Sequence, residues 1–250
     1  MRTETLIISM AGAPARRAQV DRIRAACGMP AVVIDAIDGR ALSEDDRSRA
    51  FRRALHRPRY PFSSRPGEIG CFLSHRAAWR AIIDRGLDDA VILEDDVELD
   101  PAVFASAVDV ARRVIRDVGF ARLPLMERTP RRVRSAPGPK VSNPAVLPLG
   151  TQAQVVSADA ARRLLSATEP FDRPVDVFLQ MRWVTGVIGC MIAPSGVFDA
   201  TSVVGGSTIQ GSRPAPLRLL SREIRRPIYR LAIRAAGIRH GLLDRLRRGA

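Results

Sequence analysis

The sequence predicts an α/β fold: a mostly parallel central sheet with helices on both faces, followed by a basic helical tail. Three observations carry that expectation. Strand-like apolar runs alternate with helix-like segments along most of the chain. Of the 250 residues, 46% are hydrophobic but only 5% aromatic, so a sizeable core must be largely aliphatic. Basic residues crowd the carboxyl-terminal end, where eleven arginines from Arg213 to Ala250 face only Glu223 and Asp244.

The elements follow in order. Leu6 to Ser9 reads as a strand. Pro14 opens a helix that runs to about Cys27 and is stopped by Gly28. A second strand covers Ala31 to Ile34, and Ser43, with Asp46 three residues on, marks a helix start. Residues 56–66 form a Pro-rich loop. Ile69, Phe72, Leu73, Trp79, Ile82 and Ile83 then recur at helical spacing, up to a stop at Gly86. Ala90-Val91-Ile92-Leu93 is a buried strand, Pro101 begins a helix to about Asp117, and Gly119 to Leu123 reads as strand. Residues 124–148 hold six prolines and many arginines, the pattern of a long loop that is either a lid or acceptor-binding segment over a site or plain disordered surface. Helices are expected over Ser157 to Leu165 and Val175 to Trp183, and a strand over Val187 to Ile192.

The chemistry concentrates at the end of the Ala90–Leu93 strand. Glu94-Asp95-Asp96 places three acids at its carboxyl end, where open α/β sheets bind ligands. Alternate residues of an extended chain share a face, so Glu94 and Asp96 can converge. Two such carboxylates make a hard oxygen site suited to Mg²⁺ or Mn²⁺ with a bound diphosphate. Taken alone, the three acids read first as a solvated turn paired with some of the many arginines.

The ordered string Gly67-Glu68-Ile69-Gly70-Cys71, Leu73-Ser74-His75, then Trp79, then a strand ending in Glu94-Asp95-Asp96, resembles glycosyltransferase family 25. That family includes galactosyl- and glucosyltransferases of lipooligosaccharide assembly and collagen-modifying relatives in animals. Further matches are Thr5 to Ser9, the basic pair Arg16-Arg17, Ala36-Ile37-Asp38-Gly39, Gly150 to Leu165, Pro174-Val175-Asp176 and Gly206 to Ile209. The matches span about residues 4–211. Two departures stand out: no aromatic lies near Gln152-Ala153-Gln154, and the Arg-rich stretch 128–134 has no counterpart in the family pattern.

The resemblance implies a GT-A-like nucleotide-sugar fold and inverting transfer of a hexose, galactose or glucose, from a UDP-sugar to a hydroxyl of a glycolipid or glycan. It implies Asp96 as the leading metal ligand, with Glu94 beside it and reaching the nucleotide. Asp95, Arg16, Arg17 and Ser9 become donor-binding candidates. Asp176 becomes the candidate base, though it is equally placed to cap a helix. Glu68 and His75, seven residues apart, could face one site across two helical turns. Mn²⁺ or Mg²⁺ is the implied cofactor.

Composition narrows the partners. The net charge is +14, of which the segment 213–250 supplies +9. Leu217, Leu220, Ile224, Ile228, Leu231 and Ala235 fall near one helical stripe, and Pro227 and Gly237 are expected to break the tail into two or three short helices. Such a tail suits an anionic membrane surface; packing of its apolar face on the domain is the alternative. Tyr229 is its only aromatic, which argues against nucleic acid as a specific partner. Cys27, Cys71 and Cys190 lack metal-binding spacing and read as reduced, buried thiols. With no apolar leader and no run of 18 apolar residues, the expected place is the cytoplasm, peripheral to the inner face of the membrane. The expected organisation is a catalytic domain over 1–212 and an amphipathic tail over 213–250. A basic, non-catalytic adaptor binding anionic lipid or nucleic acid on a transferase-like scaffold is the other class the sequence allows.

Overall fold

Apolar runs and caps define the elements seen in a computed structural model, which describes residues 1–10, 14–127, 138–205 and 216–248. Side chains of the last helix are described over 224–241. The first half comprises β1 (Thr3–Ser9), α1 (Pro14–Ala26), β2 (Ala31–Asp35), α2 (Glu44–Ala50) and α3 (Pro66–Asp84). Then come β3 (Asp89–Glu94), β4 (Val97–Leu99), α4 (Pro101–Val118), β5 (Gly119–Arg122), β6 (Leu125–Met126) and β7 (Lys140–Ser142). The remainder is β8 (Ala153–Ser157), α5 (Ala158–Ala167), α6 (Val175–Phe178), α7 (Arg182–Thr185), β9 (Ile188–Ala193), β10 (Val197–Asp199) and α8 (Pro216–Arg248).

Local chemistry sets the boundaries. Ser43 caps α2 by accepting from the Asp46 N–H at 3.0 Å, as its spacing predicts. Asp100 caps α4 on the N–H groups of Ala102 and Val103, and α4 ends on Gly119 at φ 90°, a left-handed position suited to glycine.

Seven strands form the main sheet in the order β2-β1-β3-β8-β5-β9-β7. The pairs β2-β1, β1-β3 and β5-β9 are parallel, whereas β3-β8, β8-β5 and β9-β7 are antiparallel. The sheet is therefore mixed rather than mostly parallel. The difference traces to β8, which enters between β3 and β5 in the reverse direction. Its sequence, AQVVS, hides a buried strand behind the polar Gln154, whose amide is bonded to His75. A small second sheet, β4-β10-β6, lies after the acidic turn.

Alternation along the strands feeds two apolar layers, with helices on both faces. Leu6, Ile92, Phe120 and Val156 pack with α3 and α5 on one side. Ile7, Val91, Leu93, Ala121 and Val155 pack with α1 and α4 on the other. Trp79 and Phe72 are fully buried in the first layer.

Two further expectations change. The helix expected over Val175 to Trp183 is two short helices, α6 and α7, separated by a turn at Leu179–Met181. The tail is one helix with Pro227 inside it, not two or three pieces. Pro227 lies on the exposed side, where the carbonyl it frees can be hydrated. Gly237 is used for close approach, since a Cβ there would come within 2.7 Å of the Ala145 carbonyl oxygen. The Arg-rich stretch 128–134 and residues 206–209 lie outside the described residues; the ends of the expected 124–148 loop carry β6 and β7. All three cysteines are free, Cys27 and Cys190 buried and Cys71 partly so.

Candidate active site

β3 is buried from Asp89 to Leu93, so its carboxyl end is held in place before the three acids begin. There the chain opens a cleft between that end and the start of α3. Gly67, Cys71, His75, Glu94, Asp95 and Asp96 line it together with Arg16, Asp38, Gly39 and Arg40. Gly39 and Gly70 allow the wall to close up: a Cβ on Gly39 would fall 1.7 Å from the Pro66 carbonyl oxygen.

The three acids are held differently. Asp95 is buried, accepting a 2.7 Å bond from the Ser9 hydroxyl and an ion pair from Arg16. That trio joins the end of β1, the first turn of α1 and the end of β3. Glu94 accepts on one oxygen, Oε1, from Thr151 Oγ1 at 2.7 Å and from His75 Nε2 at 3.2 Å. Burial pushes the Glu94 carboxyl up, but His75, Thr151 and the Arg122 charge outweigh it and hold it below the ordinary value. Asp96 has neither support. Its Oδ1 is buried with no hydrogen-bond partner. Burial first, then the charges of Glu94, Asp95 and Asp199, push its carboxyl up to about 7.

His75 sits beneath this cluster, 1% exposed. The Gln154 amide nitrogen lies 3.0 Å from its Nδ1 and donates to it, which leaves the ring proton on Nε2, facing Glu94. Glu68, two turns earlier, folds back to accept from the Arg65 N–H at 2.6 Å and closes the start of α3. The two side chains thus take different tasks. Arg17 is exposed and is not among the cleft-lining residues.

Asp176 lies in the first turn of α6, whose cap residue is Pro174, so it is not the helix cap. Its Oδ2 accepts from the Gly150 N–H at 3.3 Å and its Oδ1 from the Val177 N–H at 2.8 Å. Its charge reaches Cys71 in the cleft wall, as do those of Glu94, Asp96 and Glu68; burial and these acids push the Cys71 thiol well up.

Three residues that matter here escape sequence reasoning. Thr151 reaches Glu94 only through the loop before β8. Asp199 comes beside the acidic turn because β10 pairs antiparallel with β4, Asp199 opposite Val97. Arg122 is 2% exposed, with Nη1 on the Pro148 carbonyl and both Nε and Nη2 buried without a partner. Burial lowers its guanidinium to about 10, offset in part by Asp176 and Glu94. Register supplies the only signal: Arg122, Gln154 and Ile92 lie side by side across β5, β8 and β3.

The donor set fits a hard divalent cation. Asp96 presents an orphaned buried oxygen, Glu94 has both of its bonds on Oε1, and Glu94, Asp95 and Asp199 add negative charge around Asp96. Cys71, His75 and Glu94 also bring ligand atoms within 4.8 Å of one another. The raised thiol and the doubly bonded imidazole make that trio the poorer site.

Residues 2–134 match the family described as glycosyltransferase family 25 (LPS biosynthesis protein). Human procollagen galactosyltransferase 2 is 31% identical over 164 residues, covering 60% of this chain and 25% of that protein. The rat probable inactive glycosyltransferase 25 family member 3 is 32% identical over 188 residues, covering 70% of this chain and 32% of that protein. The chain thus spans about a quarter to a third of the length of these relatives. Among solved structures, A197 from STIV aligns at a TM-score of 0.40 and 12% identity, covering 79% of this chain and 83% of that one.

Proposed function

The chain belongs to glycosyltransferase family 25, and on that footing we propose that it is a metal-dependent inverting hexosyltransferase with a GT-A-like fold. The donor is a UDP-hexose, galactose or glucose, and the acceptor a hydroxyl of a cell-surface glycolipid or glycan. The observation that carries this reading is the Asp96 carboxylate, one oxygen buried without a partner, at a cleft beside a Glu94 anchored through Oε1 alone.

In this reading Asp96 and Glu94 hold Mn²⁺ or Mg²⁺. When bound, the metal neutralises the negative charge that grows on the departing diphosphate. The rest falls to the chain. Asp95, fixed by Ser9 and Arg16, sets the turn so that Asp96 points into the cleft. His75 and Thr151 hold the Glu94 carboxylate in one orientation, which removes the entropic cost of ordering it at each turnover. Both His75 nitrogens are bonded within the protein, so it positions Glu94 and does not take a proton. Asp176, held by the N–H groups of Gly150 and Val177 and outside the cleft lining, is the group assigned to take the acceptor hydroxyl's proton as the new bond forms.

The test is hydrolysis and transfer from a panel of UDP-, GDP- and CMP-sugars, with Mn²⁺, Mg²⁺ or chelator. Metal-dependent turnover of one UDP-hexose that falls at least ~10²-fold in Asp96→Ala is the expected result. A second reading is motivated by the relative named as probably inactive: a non-catalytic adaptor on the same scaffold. Calorimetry that finds neither turnover nor binding of any sugar nucleotide would select that reading.

A further inference from the structure

We propose that the outward face of α8 is a docking surface for an anionic membrane, its aliphatic side chains entering the lipid interface and its bordering arginines meeting lipid phosphates. The proposal holds whether or not the cleft transfers sugar.

The argument begins with helix geometry. At about 100° per residue, Ile224, Ile228, Leu231 and Ile238 fall within one narrow arc. A surface helix ordinarily turns such a stripe inward. Here it faces out: these residues are 59%, 63%, 70% and 54% exposed. The opposite face makes the contacts with the core. Tyr229 and Ile233 are buried, and the Tyr229 hydroxyl accepts from Arg173 Nη1 at 2.7 Å. Gly237 meets Ala145 and Val146, and His240 stacks on Trp183 at 5.2 Å. The helix is thus already attached to the protein by one side, and its apolar stripe on the other has no partner among the described residues.

The borders of the stripe identify what would cover it. Arg225 and Arg239 flank one edge and Arg230 and Arg234 the other, all exposed. No acid occurs from Ile224 to Leu243. A second copy of the chain would set these arginine rows against each other. A nucleic acid would satisfy the arginines but press phosphates on the isoleucines. An anionic bilayer satisfies both, since each arginine near such a surface strengthens partitioning about fivefold. No described helix is long and apolar enough to cross a membrane, so the attachment is in the plane of the surface.

Flotation of the full chain with vesicles tests this. The vesicles are phosphatidylcholine alone, or phosphatidylcholine with about a quarter phosphatidylglycerol, at roughly 0.15 M salt. Binding to the anionic vesicles alone is expected. Ile228→Asp with Leu231→Asp should reduce it at least tenfold, and Arg230→Glu with Arg234→Glu likewise. These residues point away from the core, so an unchanged melting temperature confirms that the variants fold. The proposal is overturned if anionic vesicles do not bind the wild-type chain. It is also overturned if the Asp variants bind equally well, which would leave a purely electrostatic surface. Concentration-dependent dimerisation in sedimentation, lost in Ile228→Asp, would overturn it in favour of a self-interface.

Discussion

Asp95 and Asp96 adjoin in the chain, yet folding gives one two partners and leaves the other with an orphaned oxygen. Their substitutions should therefore move stability in opposite directions. Asp95→Asn leaves the Arg16 charge without its buried counterpart and should cost about 3–5 kcal/mol. Asp96→Asn should stabilise the metal-free protein by about 1–2 kcal/mol at pH 8, a gain of roughly 3–6 °C in Tm. The sign follows from its position: folding raises this carboxyl from 3.8 to about 7, so stability is lost as pH climbs through that window. The gain should accordingly shrink at pH 5. Thermal melts of both variants in chelator at the two pH values check this, and a destabilised Asp96→Asn at pH 8 would contradict it. The spacing of Glu94 and Asp96 was enough to expect both on one side of a strand end. Their different environments were not legible, because Ser9, Arg16, His75, Thr151 and Asp199 arrive from other elements.

At the scale of elements, α8 shows a pattern of which the sequence displays only one face. The stripe of Ile224, Ile228 and Leu231 is plain in the sequence, but the docking face is made of Tyr229, Ile233 and a glycine. Glycine inside a helical pattern suggests a break unless its close neighbour is known, and Ala145 is some ninety residues away. Gly237→Leu should lower the intrinsic cost of the helix yet undock it, because backbone oxygen cannot give way. Hydrogen exchange over 224–241 should then accelerate at least ~10-fold while α3 and β3 stay protected. Tyr229→Phe should cost about 1–3 kcal/mol by leaving one N–H of the fully buried Arg173 unpaired. Denaturant titration measures it, and a neutral result would mean that water replaces the hydroxyl. β8 was illegible for a related reason: a glutamine that looks like loop chemistry is buried because an imidazole lies over it.

For the molecule as a whole, strand–helix alternation was sufficient to expect a sheet with helices on both faces. It could not reveal strand direction, since antiparallel insertion depends on which distant edge β8 meets. That insertion also fixes an order of events during synthesis. β3 can pair with β1 early, but its other edge is covered only when residues 153–157 emerge, sixty residues later. Until then the growing chain carries Ala90-Val91-Ile92-Leu93 with one open row of backbone donors and acceptors, the form most prone to pair with another chain. A fragment ending at Arg122 should aggregate at micromolar concentration, where the full chain stays clear in light scattering. The reversed strand that covers the free edge of β3 is thus what shields the first half of the protein while the rest is still being made.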